Sequence, residues 1–216
     1  MHLGFDDGVY RDMVALSRHT TWLNEAVSLW SDFGLLLFLV LAAVGYRWGR
    51  SVPRALWVPG AMTAATLLNA VLKMVAGEER PCRTLPVGHV AVTCPPLGDY
   101  AFPSNHAMLS GAAVVALWTL DRRLGAVAAV NGAVIAVSRV YLGVHYPHDV
   151  AVGLLVGALV AWAGWAVLCR FAPQPTGGHH RRAGGPPSGA GERAADLGAA
   201  YRLPGENPAD SHRRIV

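Results

Sequence analysis

The chain has 216 residues, of which 53% are hydrophobic and 15% are charged, and its formal net charge is +4. So few charged groups cannot cover the surface of an ordinary soluble domain, and the composition therefore indicates an integral membrane protein. No basic groove with interleaved aromatic residues is present in the sequence, which argues against nucleic-acid binding.

The first segment in chain order, residues 1–29, scatters apolar residues among Asp, Arg, His and Thr. It is too polar to cross a membrane, and it lacks the basic start and continuous apolar stretch of a cleavable signal peptide. We therefore predict a helix or a pair of helices lying at the membrane interface.

Five apolar segments follow, each near the ~20 residues that a helix needs to cross a hydrocarbon core of ~30 Å. They are Phe33–Trp48, Arg54–Val75, Phe102–Leu120, Leu124–Arg139 and Pro147–Cys169. The predicted fold is therefore all-α, with about five transmembrane helices forming one domain over residues 30–170. Polar residues inside these segments are assigned first to hydrogen bonding between helices; they are Thr63, Thr66, Asn69 and Asn131.

The last segment, residues 171–216, is rich in Gly, Pro, Arg, His and Ala without periodicity, which predicts a disordered tail. In the five-helix topology one side of the membrane collects most of the arginines outside residues 1–29. These are Arg47, Arg50, Arg54, Arg122, Arg123, Arg170, Arg181 and Arg182. The positive-inside rule makes that side cytoplasmic, so the tail is expected inside and residues 1–29 outside.

Three short blocks lie on the opposite, extracytoplasmic side. They are Lys73-x6-Arg80-Pro81, Pro103-Ser104-Asn105-His106 and Ser138-Arg139-x5-His145-x3-Asp149. Lys73 is the only lysine of the chain. Lys73, Arg80 and Arg139 supply the fixed positive charge that a phosphoryl group in transfer requires. A helix that starts near Ser104 adds backbone N–H donors for the same anion.

The two histidines differ in their neighbours. Asp149 follows His145 by about one helical turn, so its carboxylate can fix one ring nitrogen and leave the other free to attack phosphorus. His106 has no carboxylate adjacent in sequence, which suits a general acid that protonates the leaving oxygen.

In order and internal spacing, these blocks resemble the signature of the type-2 phosphatidic acid phosphatase superfamily. The resemblance implies that His145 is a nucleophile forming a phosphohistidine, that Asp149 orients it, and that His106 is the general acid. It also implies that the remaining matched residues hold the phosphate without a cofactor or metal; these are Lys73, Arg80, Ser104, Asn105 and Arg139.

The chain departs from the usual motif at Asn105, where the family commonly has glycine. This departure, the ending His145-Tyr-Pro-His-Asp-Val150 and the N-terminal segment resemble the bacitracin-resistance group of undecaprenyl-diphosphate phosphatases. The expected activity is hydrolysis of undecaprenyl diphosphate at the outer face of a bacterial plasma membrane. Alternative substrates are phosphatidate, phosphatidylglycerol phosphate and other polyprenyl phosphates. A protein that binds or transports lipid phosphates without catalysis is the alternative of another class.

Two further features have more than one interpretation. Cys82 and Cys94 lie between the first two blocks on the extracytoplasmic side, where a disulfide is expected, although two free thiols are the alternative. A metal site formed by His145, His148 and Asp149 is the alternative for the third block, but a metal-free site makes better use of the three nearby cations. His148 itself is interpreted as an interfacial residue.

Overall fold

The computed structural model describes residues 4–85 and 87–171. All regular elements in these ranges are helices, which confirms the all-α prediction. In chain order they are α1 (Gly4–His19), α2 (Thr21–Arg47), α3 (Val52–Ala76), α4 (Pro81–Thr84), α5 (Asn105–Leu120), α6 (Arg122–Tyr141) and α7 (Pro147–Phe171). The predicted tail, Phe171 apart, lies outside the described residues.

Helices α2, α3, α6 and α7 are long and apolar enough to cross a membrane. Helix α5 is also apolar but has only 16 residues, or roughly 24 Å at 1.5 Å per residue. It lies at the centre of the bundle, where it packs against α2, α3, α6 and α7. Because helices surround it, α5 buries residues on all its faces rather than along one stripe.

Small residues let α5 and α7 approach closely. A methyl group added at Gly157 of α7 would collide with the backbone of Met108 and Ala112 in α5, and one at Gly111 would collide with Leu154. The two helices therefore touch backbone to backbone, as is common where glycines face each other in membrane bundles. This contact fixes the starts of both helices, which lie at the same end of the bundle.

The N-terminal segment divides differently from the prediction. Helix α1 ends at His19 and α2 already begins at Thr21, so residues 21–29 continue directly into the first membrane helix. The Tyr141 hydroxyl donates a hydrogen bond to Asn24 Oδ1 at 2.7 Å and lies 2.6 Å from the Thr20 hydroxyl. Polar residues at the start of α2 thus have hydrogen-bond partners on α6. A hydropathy profile of the sequence cannot show such partners.

The two ends of the bundle differ in character. At one end the turn after α2 is joined to the start of α6 by the ion pair of Arg50 and Asp121 at 2.5 Å. Asp121 also caps α6 by accepting a hydrogen bond from the Arg123 backbone N–H at 2.8 Å. The opposite end holds the last turn of α3, the first turn of α5, the last turn of α6 and the first turn of α7, where the three sequence blocks meet.

Candidate active site

A cavity of about 320 Å³ opens at this second end of the bundle. It gathers residues from all three sequence blocks, namely Lys73, Arg80, Asn105, His106, Arg139 and His145. Helices α3, α5 and α6 contribute, together with the connection between α3 and α4 and the loops that precede α5 and α7. The cavity is therefore lined by three cations and two imidazole rings.

His145 lies at the base of the cavity with both ring nitrogens engaged. Arg80 Nη1 lies 3.2 Å from Nε2, and because a guanidinium can only donate, Nε2 accepts. The proton is then on Nδ1, which donates to Asp149 Oδ2 at 3.3 Å. Burial lowers the pKa of His145, and the nearby charges of Arg80, Arg139 and Lys73 lower it further. The ring is thus a neutral base with its lone pair directed toward the cation cluster.

Asp149 and Ser104 lie behind the cavity and do not line it. The Asp149 carboxylate is fully buried and accepts a second hydrogen bond from the Tyr146 backbone N–H at 2.8 Å. The Ser104 backbone N–H donates to the Asp149 carbonyl at 3.1 Å, which ties the start of α5 to that of α7. Among the described residues the buried Ser104 Oγ has no hydrogen-bond partner. Ser104, predicted from the sequence to hold the phosphate, is not among the residues that line the cavity.

Arg80 and Lys73 converge on a carboxylate that the sequence did not single out. Asp99 Oδ1 lies 2.7 Å from Lys73 Nζ, and Asp99 Oδ2 lies 3.0 Å from Arg80 Nη2. Arg80 also donates to the carbonyls of Asp99 and Val144 at 2.8 and 3.0 Å. Burial raises the pKa of Asp99, but the bond from Lys73 and the charges of Arg80 and Lys73 outweigh it, so the pKa lies below its usual range. An anion of this chain thus occupies part of the anion site.

His106 and Arg139 share a second carboxylate, from α2. Asp32 Oδ1 lies 3.4 Å from His106 Nε2 and 3.7 Å from Arg139 Nη1. Arg139 Nη1 also donates to the Ser31 hydroxyl at 2.9 Å, while its buried Nε has no partner among the described residues. His106 therefore has a carboxylate neighbour after all, one that is 74 positions earlier in the sequence.

Sequence reasoning missed Asp32 and Asp99 for different reasons. Asp32 had a weak signal, because it is a carboxylate that directly precedes the first predicted membrane segment, Phe33–Trp48. Asp99 had none, since it lies in a loop outside the three blocks and only the fold brings it to Lys73.

His148, interpreted from the sequence as an interfacial residue, has acidic partners on two other parts of the fold and on its own helix. Its Nδ1 lies 3.0 Å from Asp6 Oδ2 of α1, and its Nε2 lies 3.2 Å from Glu78 and 3.3 Å from Asp149 Oδ1. Its ring also stacks on Tyr146, with centroids 5.5 Å apart. This cluster ties α1 and the loop after α3 to the carboxylate behind His145.

The loop between the first two blocks is closed covalently. Cys82 and Cys94 form a disulfide, and Arg83 Nη2 donates a hydrogen bond to the Pro95 carbonyl. Pro95 and Asp99 line the cavity directly after this closed loop. The disulfide thereby limits the movement of the segment that carries Asp99.

Comparison with known proteins gives consistent matches. Residues 54–172 match the model of the PAP2 superfamily. The chain is 29% identical over 155 residues to "Bacitracin transport permease protein BcrC" of Bacillus licheniformis, covering 70% of this chain and 75% of that protein. It is 24% identical to "Undecaprenyl-diphosphatase BcrC" of Bacillus subtilis, covering 71% and 79%. It is 33% identical to "Decaprenylphosphoryl-5-phosphoribose phosphatase" of Mycobacterium tuberculosis, covering 68% and 76%.

Solved structures of the same fold exist. The LpxE structure of Aquifex aeolicus superposes with a TM-score of 0.62 at 20% identity, covering 76% of this chain and 96% of that one. The PAP2-type phosphatidylglycerolphosphate phosphatase of Bacillus subtilis gives a TM-score of 0.58 at 24% identity, covering 77% and 85%. At these identities the comparison shows a shared fold.

Proposed function

Because the chain belongs to the PAP2 superfamily, as its sequence blocks predict, we propose that this membrane lipid phosphatase converts undecaprenyl diphosphate to undecaprenyl phosphate through a phosphohistidine on His145. The observation that carries the proposal is the single cavity in which three cations surround a neutral His145 backed by Asp149.

Catalysis begins when the terminal phosphoryl group of the substrate displaces the Asp99 carboxylate and binds Lys73, Arg80 and Arg139. With Arg80 now on the phosphate, the Nε2 lone pair of His145 is free to attack phosphorus in line with the leaving oxygen. The Nδ1 proton stays hydrogen-bonded to Asp149, which stabilises the positive charge that the ring gains.

His106 completes both half-reactions. In the first it protonates the oxygen that leaves as the bond between phosphorus and that oxygen breaks, so undecaprenyl phosphate departs and the phosphoryl group stays on His145. In the second, neutral His106 removes a proton from water as the water attacks the phosphohistidine, which releases orthophosphate. Such acid and base catalysis is typically worth ~10² to 10⁴ in rate. Asp32 Oδ1 lies 3.4 Å from His106 Nε2 and is placed to accept a hydrogen bond from a proton on that nitrogen.

The substrate assignment rests on the relatives and on the chemistry of the site. One relative carries the name of an undecaprenyl-diphosphatase. A relative named for transport of bacitracin has a comparable match. Binding or transport alone needs no nucleophile with an orienting carboxylate and no separate acid, so the arrangement of His145, Asp149 and His106 favours hydrolysis.

We further propose that the active site faces the outside of the plasma membrane. The arginine-bearing turns at Arg50 and Arg122 lie at the end of the bundle opposite the cavity, and the positive-inside rule assigns such an end to the cytoplasm. A disulfide between Cys82 and Cys94 beside the cavity is compatible with an oxidising exterior. An outward site is where the lipid diphosphate is released during assembly of wall polymers.

Phosphate release by the purified protein tests the proposal. The substrates are undecaprenyl diphosphate, undecaprenyl phosphate, phosphatidate and phosphatidylglycerol phosphate, each in mixed detergent micelles with EDTA. We expect the highest kcat/KM with undecaprenyl diphosphate and activity that persists in EDTA. Faster hydrolysis of phosphatidate or phosphatidylglycerol phosphate would assign a glycerolipid substrate instead, and strict dependence on an added divalent metal would contradict the metal-free mechanism.

A further inference from the structure

The active-site cavity continues beyond its cations along one face of α3. Asn69 and Thr66 precede Lys73 by four and seven residues, so all three lie on the same side of the helix. Each of the three lines the cavity. At 1.5 Å per residue Asn69 lies roughly 6 Å along the helix from Lys73, toward the middle of the bundle. The cavity therefore has a cationic end and a neutral, hydrogen-bonding end.

Two asparagines line the neutral end of the cavity. Asn69 Nδ2 donates to Asn105 Oδ1 at 3.3 Å, joining α3 to the first residue of α5. Asn69 is only 2% exposed, and its Oδ1 has no hydrogen-bond partner among the described residues. That oxygen is an acceptor, so only a ligand with a donor, such as a protonated phosphoryl oxygen, can pair it. The groups of Asn69 that can bind an anion are its N–H donors.

The two asparagines can donate hydrogen bonds to an anion. Each side-chain amide carries two N–H donors, and the bond between the two asparagines uses one of the four. The remaining donors belong to groups that line the cavity. Asn105 also directly precedes His106, the residue assigned to the leaving oxygen.

We propose that Asn69 and Asn105 bind the phosphoryl group that remains on the lipid, so that the cavity is a two-phosphate site. This inference rests on the proposed function and specifies its substrate class as a lipid diphosphate. The phosphoryl group being transferred requires the fixed charge of Lys73, Arg80 and Arg139. The second group lies across one bridging oxygen, on the His106 side, and needs only donors. Neutral amides supply donors without holding the monophosphate product as tightly as further cations would.

The test compares substrates that differ by one phosphoryl group. Asn105→Gly keeps the backbone N–H and removes the side-chain amide, and Asn69→Leu keeps the approximate size of the side chain but removes its donors without adding a charge. For each variant kcat/KM is measured with undecaprenyl diphosphate and with undecaprenyl phosphate. We expect a loss of roughly 10- to 100-fold with the diphosphate, the size of a lost hydrogen bond to a charged group, and little change with the monophosphate.

Asn131 provides the matched control. It is also a buried asparagine of a membrane helix with an unpartnered Oδ1, but its Nδ2 donates to the Gly34 carbonyl of α2 and it does not line the active-site cavity. Asn131→Ala should leave the ratio of the two kcat/KM values unchanged. Equal losses on both substrates in Asn105→Gly and Asn69→Leu would overturn the proposal.

A binding measurement separates this inference from the proposed function. Thermal stabilisation of the full chain is recorded with inorganic pyrophosphate and with orthophosphate, which needs no turnover. We expect Asn105→Gly to weaken pyrophosphate binding and to leave orthophosphate binding unchanged. If the wild-type chain hydrolysed no lipid phosphate, the proposed function would fail while this comparison still reported on the subsite. Equal pyrophosphate affinity in the wild type and in Asn105→Gly would overturn the subsite.

Discussion

At the scale of single residues, Asp99 behaves as a built-in competitor for the substrate phosphate. Its two carboxylate oxygens bind Lys73 and Arg80 at 2.7 and 3.0 Å, which are the contacts a phosphate would take. Asp99→Asn removes the competing charge, so orthophosphate should inhibit hydrolysis about 1.5- to 5-fold more strongly, as expected for a partly exposed ion pair. Inhibition constants in the wild type and variant measure this effect.

Asp121 supplies the control for that prediction. It also pairs with an arginine, Arg50, but at the opposite end of the bundle. Asp121→Asn should leave orthophosphate inhibition unchanged. Weaker inhibition in Asp99→Asn would instead mean that Asp99 organises Lys73 and Arg80 for the ligand.

The protonation of His145 gives a prediction on pH. Burial lowers the pKa of His145, and the surrounding positive groups lower it further; the charged groups that face it are Lys73, Arg80, His106, Arg139 and Asp149. Since the neutral ring is the nucleophile, a lowered pKa keeps it reactive at more acidic pH. The acid limb of kcat/KM, corrected for ionisation of the substrate, should therefore lie below the ordinary histidine value of ~6.5. An acid limb above that value would contradict a buried, neutral His145.

The sequence predicted local pairings and missed distant ones. The contact of His145 with Asp149 follows from a four-residue spacing at a helix start. Lys73 and Arg80 are identified by the first sequence block, to which both belong. The contacts of Asp32 with His106 and of Asp99 with Lys73 join separate elements and have no spacing to reveal them. Asn69 was assigned to helix packing, because the sequence does not reveal whether a polar residue of a membrane helix faces another helix or a cavity.

At the scale of the helices, the contact between α5 and α7 holds the site together. A Cβ at Gly157 would meet the backbone of Met108 and Ala112, so Gly157→Ala should force the helices apart. We expect a loss of about 1 to 3 kcal/mol, the usual cost of overpacking, together with reduced activity. Activity falls because α5 begins with Asn105 and His106, and α7 carries Asp149 in its first turn.

Thermal unfolding in detergent measures the change, with Gly60→Ala as control. The nearest atom to an added methyl group at Gly60 is in the Trp57 side chain at 3.5 Å, an ordinary contact. Gly60→Ala should therefore be neutral or slightly stabilising, because alanine is the better helix former. A Gly157→Ala variant as stable as the wild type would show that the two helices can separate without cost.

Hydropathy predicted where the membrane helices lie but not all of their ends. The ends next to sequence blocks, such as the start of α7 at Pro147, agree with the prediction because proline marks a first helical turn. The start of α2 at Thr21 does not, because its polar residues find partners on α6 that only the folded bundle provides.

At the scale of the whole molecule, we predict that the bundle is oriented in the membrane with its cavity facing outside. Single cysteines are placed at Leu97, beside the cavity, and at Arg122, in the opposite turn, with Cys169 replaced by serine. A membrane-impermeant maleimide applied to intact cells should label the cysteine at position 97 and not the one at position 122. The reverse pattern would place the active site in the cytoplasm, where a Cys82–Cys94 disulfide is not expected.

The central claim is that this membrane protein transfers a phosphoryl group to His145. A phosphate bound to histidine is released in acid, whereas a phosphate ester on oxygen survives acid. The measurement is therefore rapid quench of the enzyme with terminally labelled undecaprenyl diphosphate, followed by alkaline work-up and peptide mapping. We predict that the label lies on the peptide that contains His145. The label should persist in His106→Ala when the substrate has a good leaving group, and it should be absent in His145→Asn. A wild-type enzyme that turns over the diphosphate without labelling that peptide, or a His145→Asn variant that still turns over, would contradict the account.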